Sequence, residues 1–421
     1  MSREHNWTDN YSFLARRLHR PDTVDALRRI VAGASHVHAL GARHSFNGIA
    51  DTAGDLIDLG GLPPDFALDR QAWTVTASAG ASYGAVAAFL QGEGWALLNM
   101  PSLPHVTLAG ATATGTHGSG DRLGTLSSAV AALELVTATG DLVTFRRGDP
   151  AFDGVVVNVG ALGIVTRMTL DIQPGFMMRQ DAFEGLAWER VVSDLDAVMS
   201  AGESVSLMTH WAHPTVERMW VKTRDQGSES ATGAAARLGA TPAARPLLED
   251  VPGLNPFGVP GPWPERLPHF RRDVEPGKVG HLQSEYLLPR ARATEAIAVL
   301  RGIGATVDRH LLISEIRSMC GDALWLSPAY GAPAIGLHFS WERDIEAVAR
   351  ITAEVEALLL PLGARPHWGK IIHTGASGLA PLYPKLADFR ALVQSLDPSG
   401  KFANEFLRVH VLGDAPSLGN G

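Results

Sequence analysis

The chain has 421 residues, 45% hydrophobic and only 19% charged, enough apolar material for two or three domains with more than one core. A formal net charge of −8 with no Lys/Arg cluster excludes a nucleic-acid binder, which needs a basic face against phosphate. A lone cysteine, Cys320, excludes an intramolecular disulfide framework and a multi-cysteine zinc site. No run approaches the roughly 18 apolar residues of a membrane-spanning helix. The opening MSREHNWTDN lacks the apolar stretch of a signal peptide, so a cytoplasmic protein that does not enter membranes is expected.

In chain order, TVDALRRIVAGAS reads as an amphipathic helix capped by Asp22 or Thr23. The strand-like HVHALG runs into LGARHSFNG, where Arg43, His44, Ser45 and Asn47 crowd between Gly41 and Gly48. DLIDLGGL and WTVTASAG read as strands, and YGAVAAFLQGEGW as a helix ending near Gly92 or Gly94. From Pro101 to Gly124 the chain is dominated by Gly, Ser, Thr, Pro and His, too long a stretch for a simple turn. Its GATATGTHGSG is neither GxGxxG nor GxxxxGK[ST], yet such residues expose backbone amides that can cradle a pyrophosphate. AALELVTATG and DLVTFRRGD make a hairpin around Gly140-Asp141, and VVNVGALGIVTRMTLDIQP carries a glycine-rich passage into another strand.

Near Pro174 the character changes. WERVVSDLDAVMSAG reads as one helix, SVSLMTHW and ERMWVKT as strands, and Gln226 to Pro246 as a long excursion or a helix–loop patch of low complexity. HLQSEYLLP, ATEAIAVLRGIGA, HLLISEIRSM, AIGLHFSW and DIEAVARITAEVEALLLPLG then alternate strand, helix, strand, strand, helix. In the last helix Ile345, Val348, Ile351, Val355 and Leu358 recur every three or four residues. LADFRALVQSLDPSGKFANEF is a helix and a turn. The pattern predicts an α+β protein whose second block has antiparallel strands covered by helices.

Side chains alternate along a strand, so Glu315 and Arg317 share one face, about 7 Å apart. The next strand sets Ile335, Leu337, Phe339 and Trp341 on one face and Gly336, His338 and Ser340 on the other. Two adjacent strands of this kind would line a polar floor; a face simply wetted by solvent fits the same pattern. RPHWGK adds His367, Trp368 and Lys370, which by themselves read as a loop with a snorkelling lysine.

Ten segments in order resemble the vanillyl-alcohol-oxidase-type flavoproteins and, within them, the alditol (xylitol) oxidases: LGARHSFN, MPSLPHVTLAG, ATGTHGSG, VGALGIVT, FGVPGPWPERLPHF, QSEYL, SEIRS, LWLSPAYG, RPHWGK and DPSGKFANEF. The resemblance implies a two-domain PCMH-type FAD-binding fold. Residues 1–175 would form the FAD-binding domain, 176–370 the antiparallel-sheet substrate (cap) domain, and 371–421 a return to the first. It implies FAD attached covalently through His44, wrapped by Gly41, Ala42, Arg43 and Ser45. Further FAD contacts would come from Ser102, Thr107, Gly110, Thr114, Gly115, Thr116, His117, Ile164, Val165 and His367.

The same resemblance implies a polyol gripped by Ser102, Glu315, Arg317, Ser340 and Lys370, with His338 close by; Ser340 stands where the relatives carry threonine. Arg317 and Lys370 would stabilise a developing alkoxide, Lys370 would act as base, and Glu315 would orient Arg317 and accept a substrate hydroxyl. Oxygen would be the electron acceptor, giving hydrogen peroxide; a monomer with no metal is expected. A gulonolactone-type sugar-lactone oxidase or dehydrogenase shares the histidine loop, the E-x-R strand and HWGK, whereas SLPH, SPAYG and FGVPGPW favour alditols. A metal hydrolase is disfavoured, because no helix carries HxxxH or HExxH.

Overall fold

The computed structural model describes residues 4–224, 230–248, 251–274 and 280–413. Arg17–His19 (β1), Val37–Leu40 (β2) and Asp55–Asp58 (β3) form a small parallel sheet in the order β1-β3-β2. Between β1 and β2 lies α1, Val24–Gly33, whose Thr23 cap accepts from the Ala26 amide at 3.2 Å while Leu27 and Val31 turn into the core.

A second, antiparallel sheet contains Ala67–Asp69 (β4), Thr74–Ser78 (β5), Trp95–Leu97 (β6), Val130–Val136 (β7), Leu142–Arg146 (β8) and Ile164–Pro174 (β9). Its order is β4-β5-β9-β7-β8, with β6 on β9. Helix α2, Tyr83–Gly92, starts at a Ser82 cap. The stretch read as a glycine-rich loop contains a short helix, α3, Leu108–Ala113, capped by Thr107.

The third sheet has nine strands: Met177–Glu184 (β10), Ser204–Thr209 (β11), Arg218–Arg224 (β12), Thr241–Pro242 (β13), Gly261–Pro262 (β14), Leu282–Pro289 (β15), Leu311–Met319 (β16), Ala334–Trp341 (β17) and Arg365–Pro366 (β18). The order is β13-β10-β12-β11-β16-β17-β15-β18, and the pairs are antiparallel. One face of β17, with Ile335, Leu337, Phe339 and Trp341, joins the apolar cluster that also takes in Ala293–Gly302 (α4) and Ile345–Leu359 (α5). Helix α6, Leu386–Leu396, returns to the other cluster, where Phe389 meets the apolar residues around α1 and β5.

Three readings of the elements need correction. WERVVSDLDAVMSAG is two short helices, Trp188–Ser193 and Leu195–Met199, broken at Asp194, whose φ of −140° is extended rather than helical. The buried stripe of α5 is Val348, Ile351, Val355 and Leu359; Ile345 and Leu358 face outward, 57% and 36% exposed. Strand β10 was not anticipated. Of the Gln226–Pro246 excursion, Ala231–Arg237 is helical and Thr241–Pro242 is strand, while 226–229 lie outside the described residues. Among the described residues no helix is long and apolar enough to cross a membrane.

Candidate active site

A cavity of about 690 Å³ opens where the first two sheets and their loops meet the polar face of the third. That size suits a sizeable organic ligand. Its floor is set by strand register. Glu285 of β15 lies opposite His338 of β17, and His338 lies opposite Glu315 of β16. One step along, Gln283 and Ser340 are partners; on the far side Ser206 and Met208 of β11 face Arg317 and Glu315. Cross-strand partners point to the same side of a sheet, so four strands contribute to one polar surface. The polar floor expected from two strands is therefore a cavity lining, not a solvated face. Gly336 sits within it without a side chain; a Cβ there would come within 3.3 Å of His117 and 3.5 Å of Glu285.

Glu285 is the electrostatic centre. Arg317 Nη2 donates to its Oε1 at 2.7 Å, His117 Nε2 lies 3.1 Å from the same oxygen, and His338 Nδ1 and Lys370 Nζ lie 3.5 and 3.7 Å from Oε2. Burial alone would raise its pKa, but Arg317, His117 and Lys370 outweigh that and hold it well below the carboxylate range. Glu315, expected to orient Arg317, lies with its Oε1 3.7 Å from Arg317 Nε, and Glu285 adds the shorter bond to the guanidinium.

Glu315 has its own support. His269 Nε2 is 2.9 Å from Glu315 Oε1, and buried Lys222 lies 3.1 Å from His269 Nδ1 while donating to the Leu267 carbonyl at 2.6 Å. The ionised Glu315 carboxylate only accepts, so His269 carries its proton on Nε2 and accepts from Lys222 at Nδ1. Burial lowers Lys222 to about 7 and His269 to about 4. Glu315 is held low despite burial, chiefly by Arg317 and then His269.

Lys370 Nζ donates to Gln283 Oε1 and lies 3.3 Å from His338 Nδ1, whose Nε2 is 3.3 Å from Ser340 Oγ. Burial lowers Lys370 to about 8, with Glu285 opposing the shift and Arg317 adding to it. Ser102 Oγ accepts from Arg317 Nη1 at 3.2 Å. Thus Ser102, Glu315, Arg317, His338, Ser340 and Lys370 line one cavity, joined by Gln283, Glu285, His269 and, behind them, Lys222, which the sequence reading did not single out. Alternation in HLQSEYLLP puts Gln283 and Glu285 on one face and was the available signal for two of these.

The opposite wall comes from the amino-terminal half together with His367. Gly41, Ala42, Arg43, His44, Ser45, Thr107, Gly110, Thr114, Thr116, His117, Val165 and His367 all line it. A Cβ on Gly41 would approach Thr107 Oγ1 to 2.8 Å, so glycine lets the loop close on α3. Asn47 donates to the carbonyls of Trp368 (2.9 Å) and Lys370 (2.7 Å), tying this loop to the lysine's own. Two expected contacts lie elsewhere. Ile164 is in the apolar core, because the next strand residue, Val165, takes the cavity side. Gly115, at φ +66°, does not line the cavity; a Cβ there would meet Pro328 at 2.6 Å, so its role is the turn after α3.

The residues present fit the flavin that the resemblance implies. Arg43 takes a left-handed φ of 64°, and among the described residues the amides of Ala42, Arg43, His44 and Ser45 donate to no protein acceptor. Successive free amides through such a turn form a concavity for an anion such as a pyrophosphate. Nearby, His38 lines the cavity with its buried Nε2 lacking a hydrogen-bond partner among the described residues. His44 stands 4.8 Å from Trp7 ring to ring, and burial, then His105 and Lys370, lower its pKa to about 4, so its imidazole is neutral.

Comparison with known proteins agrees with this geometry. Residues 15–146 match an FAD binding domain model and 275–410 a D-arabinono-1,4-lactone oxidase model. An alditol oxidase of Streptomyces sp. (strain IKD472 / FERM P-14339) is 44% identical over 96% of this chain and 97% of its own. An L-gulono-1,4-lactone dehydrogenase of Mycobacterium tuberculosis is 28% identical over 97% of this chain and 98% of its own. Cholesterol oxidase from B. sterolicum superposes with a TM-score of 0.76 at 14% identity, covering 96% of both chains, which shows the fold to be the PCMH-type FAD-binding one. With a cofactor wall of free amides facing a floor of paired ions, and with near-complete coverage at 44% identity, the chain belongs to the alditol oxidase family of FAD-dependent oxidoreductases.

Proposed function

We propose that the protein oxidises the terminal primary hydroxyl of a linear polyol such as xylitol or sorbitol to the aldose, with oxygen as acceptor and hydrogen peroxide as co-product. The observation that carries this reading is the floor itself. A neutral polyol offers donors and acceptors along its length, and Glu315, Arg317, Lys370, Ser102 and Ser340 offer their complements on one surface. Analogues lacking a hydroxyl would leave such buried groups unpaired, at about 1–3 kcal/mol each.

FAD would be held by Gly41, Ala42, Arg43, Ser45, Thr107, Gly110, Thr114, Thr116, His117, Val165 and His367, with His44 as its covalent anchor. The neutral lone pair that burial preserves on His44 supports the anchoring role. Held there, FAD would supply an acceptor for the C1 hydride and a route for the electrons to oxygen. The protein's part is to manage the hydroxyl proton and the negative charge it leaves. Lys370, buried and lowered to about 8, takes the proton. Arg317, fixed by Glu285, faces the alkoxide; a preorganised donor of this kind is worth about 3 kcal/mol. Glu315, braced by His269, accepts a substrate hydroxyl. The return of 371–421 to the FAD-binding part is supported by the cores: Leu379, Phe389 and Val411 cluster with Leu27 and Val75, and Phe183, Leu207, Leu337 and Val355 of 176–370 form another cluster, although Met178, Trp263, Leu324, Leu326 and Trp368 of that segment pack into the first.

A sugar-lactone substrate is the second reading, favoured by the lactone-oxidase match over 275–410. Peroxide-coupled turnover of xylitol and sorbitol against gulonolactone separates the two, with the polyols expected to win and a preference for the lactone overturning the first reading. For the anchor, acid-precipitated protein should stay yellow and His44→Ala should not. A yellow variant pellet would refute the tether.

A further inference from the structure

Outside the cavity, the bend between β11 and β12 brings together His210, His213 and Glu217. The bend is fixed on several sides. The Asp308 carboxylate accepts from the amides of Trp211 (2.8 Å) and Ala212 (2.7 Å), and Arg301 Nη1 donates to the carbonyls of Trp211 and His213, both at 2.9 Å. Trp188 Nε1 adds a bond to the His213 carbonyl at 3.0 Å, and the Trp211 side chain is fully buried. The three side chains converge from this rigid base. His210 Nδ1 and His213 Nδ1 lie 3.0 and 2.7 Å from one oxygen, Glu217 Oε1, and the imidazoles stack with centroids 5.1 Å apart.

Each neutral imidazole can donate from Nδ1 to this carboxylate, and with the proton moved to Nε2 the same two nitrogens and the oxygen turn three lone pairs toward one point. We propose that His210, His213 and Glu217 form a site for a divalent transition cation of the zinc class, with its open position toward solvent beside half-exposed His213. Two imidazoles and a carboxylate are a ligand set that zinc accepts, with water in the fourth position. Imidazole donors favour such ions over magnesium or calcium, which prefer oxygen. A tetrahedral shell spaces its ligand atoms roughly 3.4 Å apart, so the two nitrogen–oxygen separations of 3.0 and 2.7 Å need only open by about 0.4 and 0.7 Å, within the reach of small side-chain rotations. The expectation of no metal rested on helical histidine motifs; His-x2-His-x3-Glu on a bend escapes them.

The test uses untagged, flavin-loaded protein stripped with a chelator and titrated with ZnCl2 by calorimetry and with CoCl2 by visible absorption. One equivalent should bind, with affinity falling at least tenfold in both His213→Ala and Glu217→Gln while polyol turnover is unchanged. ZnCl2 should raise the melting temperature of the parent protein and leave that of His213→Ala unmoved; His213 is exposed enough for this variant to fold. Equal binding by parent and variants, or no saturable binding by the parent, would overturn the site.

Discussion

Lys222 is a fully buried amine behind the cavity, yet it donates to His269 Nδ1 and so steadies the imidazole that holds Glu315. Lys222→Met keeps the bulk and removes the donor. His269 then loses the partner that fixes its ring, and KM for a polyol should rise about tenfold, equivalent to losing about 1.4 kcal/mol of binding, with kcat and flavin absorbance nearly unchanged. A fall in kcat alone would contradict a role in substrate grip. Lys370 gives a pH signature. As the base it must be neutral, so kcat/KM should climb through neutrality and level off above a pKa near 8, a limb absent in Lys370→Met. The stability sign follows from the same shift. Between about 8 and the ordinary 10.5 the unfolded chain holds a proton on this lysine that the folded one has released, so its contribution to stability rises with pH across that window. These roles were only partly legible beforehand. Glu315 and Arg317 could be paired from spacing within one strand, whereas Lys222 and His269 reach Glu315 from segments remote in sequence, and alternation in one strand says nothing of such a neighbour.

At the scale of elements, α5 shows how closely a pattern must be followed. Val348, Ile351 and Val355 continue to Leu359, four residues on, so Leu358 falls outside the buried arc. Leu359→Ala should cost about 2–5 kcal/mol by urea unfolding, and Leu358→Ala within about 0.5 kcal/mol. Equal costs would mean the helix is rotated from the placement described. The strands β16 and β17 were readable because each is amphipathic with period two, and their pairing followed from adjacency. The break at Asp194 was not, since the apolar spacing on either side suits one helix and only the backbone at that residue departs. Helix α3 was masked by glycine and threonine, residues of low helix propensity that are here stabilised by the Thr107 cap and close packing.

Across the whole molecule, the cavity is assembled from the loop after β2, the stretch around α3, the start of β9, four strands of the large sheet and the loop after β18. A cofactor in that space touches parts that fold around different apolar clusters, so its binding should stabilise both together. In His44→Ala, free FAD at one hundred times its Kd should add about 2.7 kcal/mol, and calorimetry should show one unfolding transition moving as a unit. Two transitions, only one of them moving, would confine the flavin to a single half. This assembly was legible only through family resemblance, because composition cannot say which loops meet. The position of Glu285 also bears on redesign. With Arg317, His117, His338 and Lys370 all leaning on one carboxylate, no member of that group can be exchanged alone without stranding the others. Retuning toward longer or differently configured sugars alcohols has its freedom at the margins, at Ser340 and Met208, where a methyl gained or lost reshapes the room and leaves the ionic keystone standing.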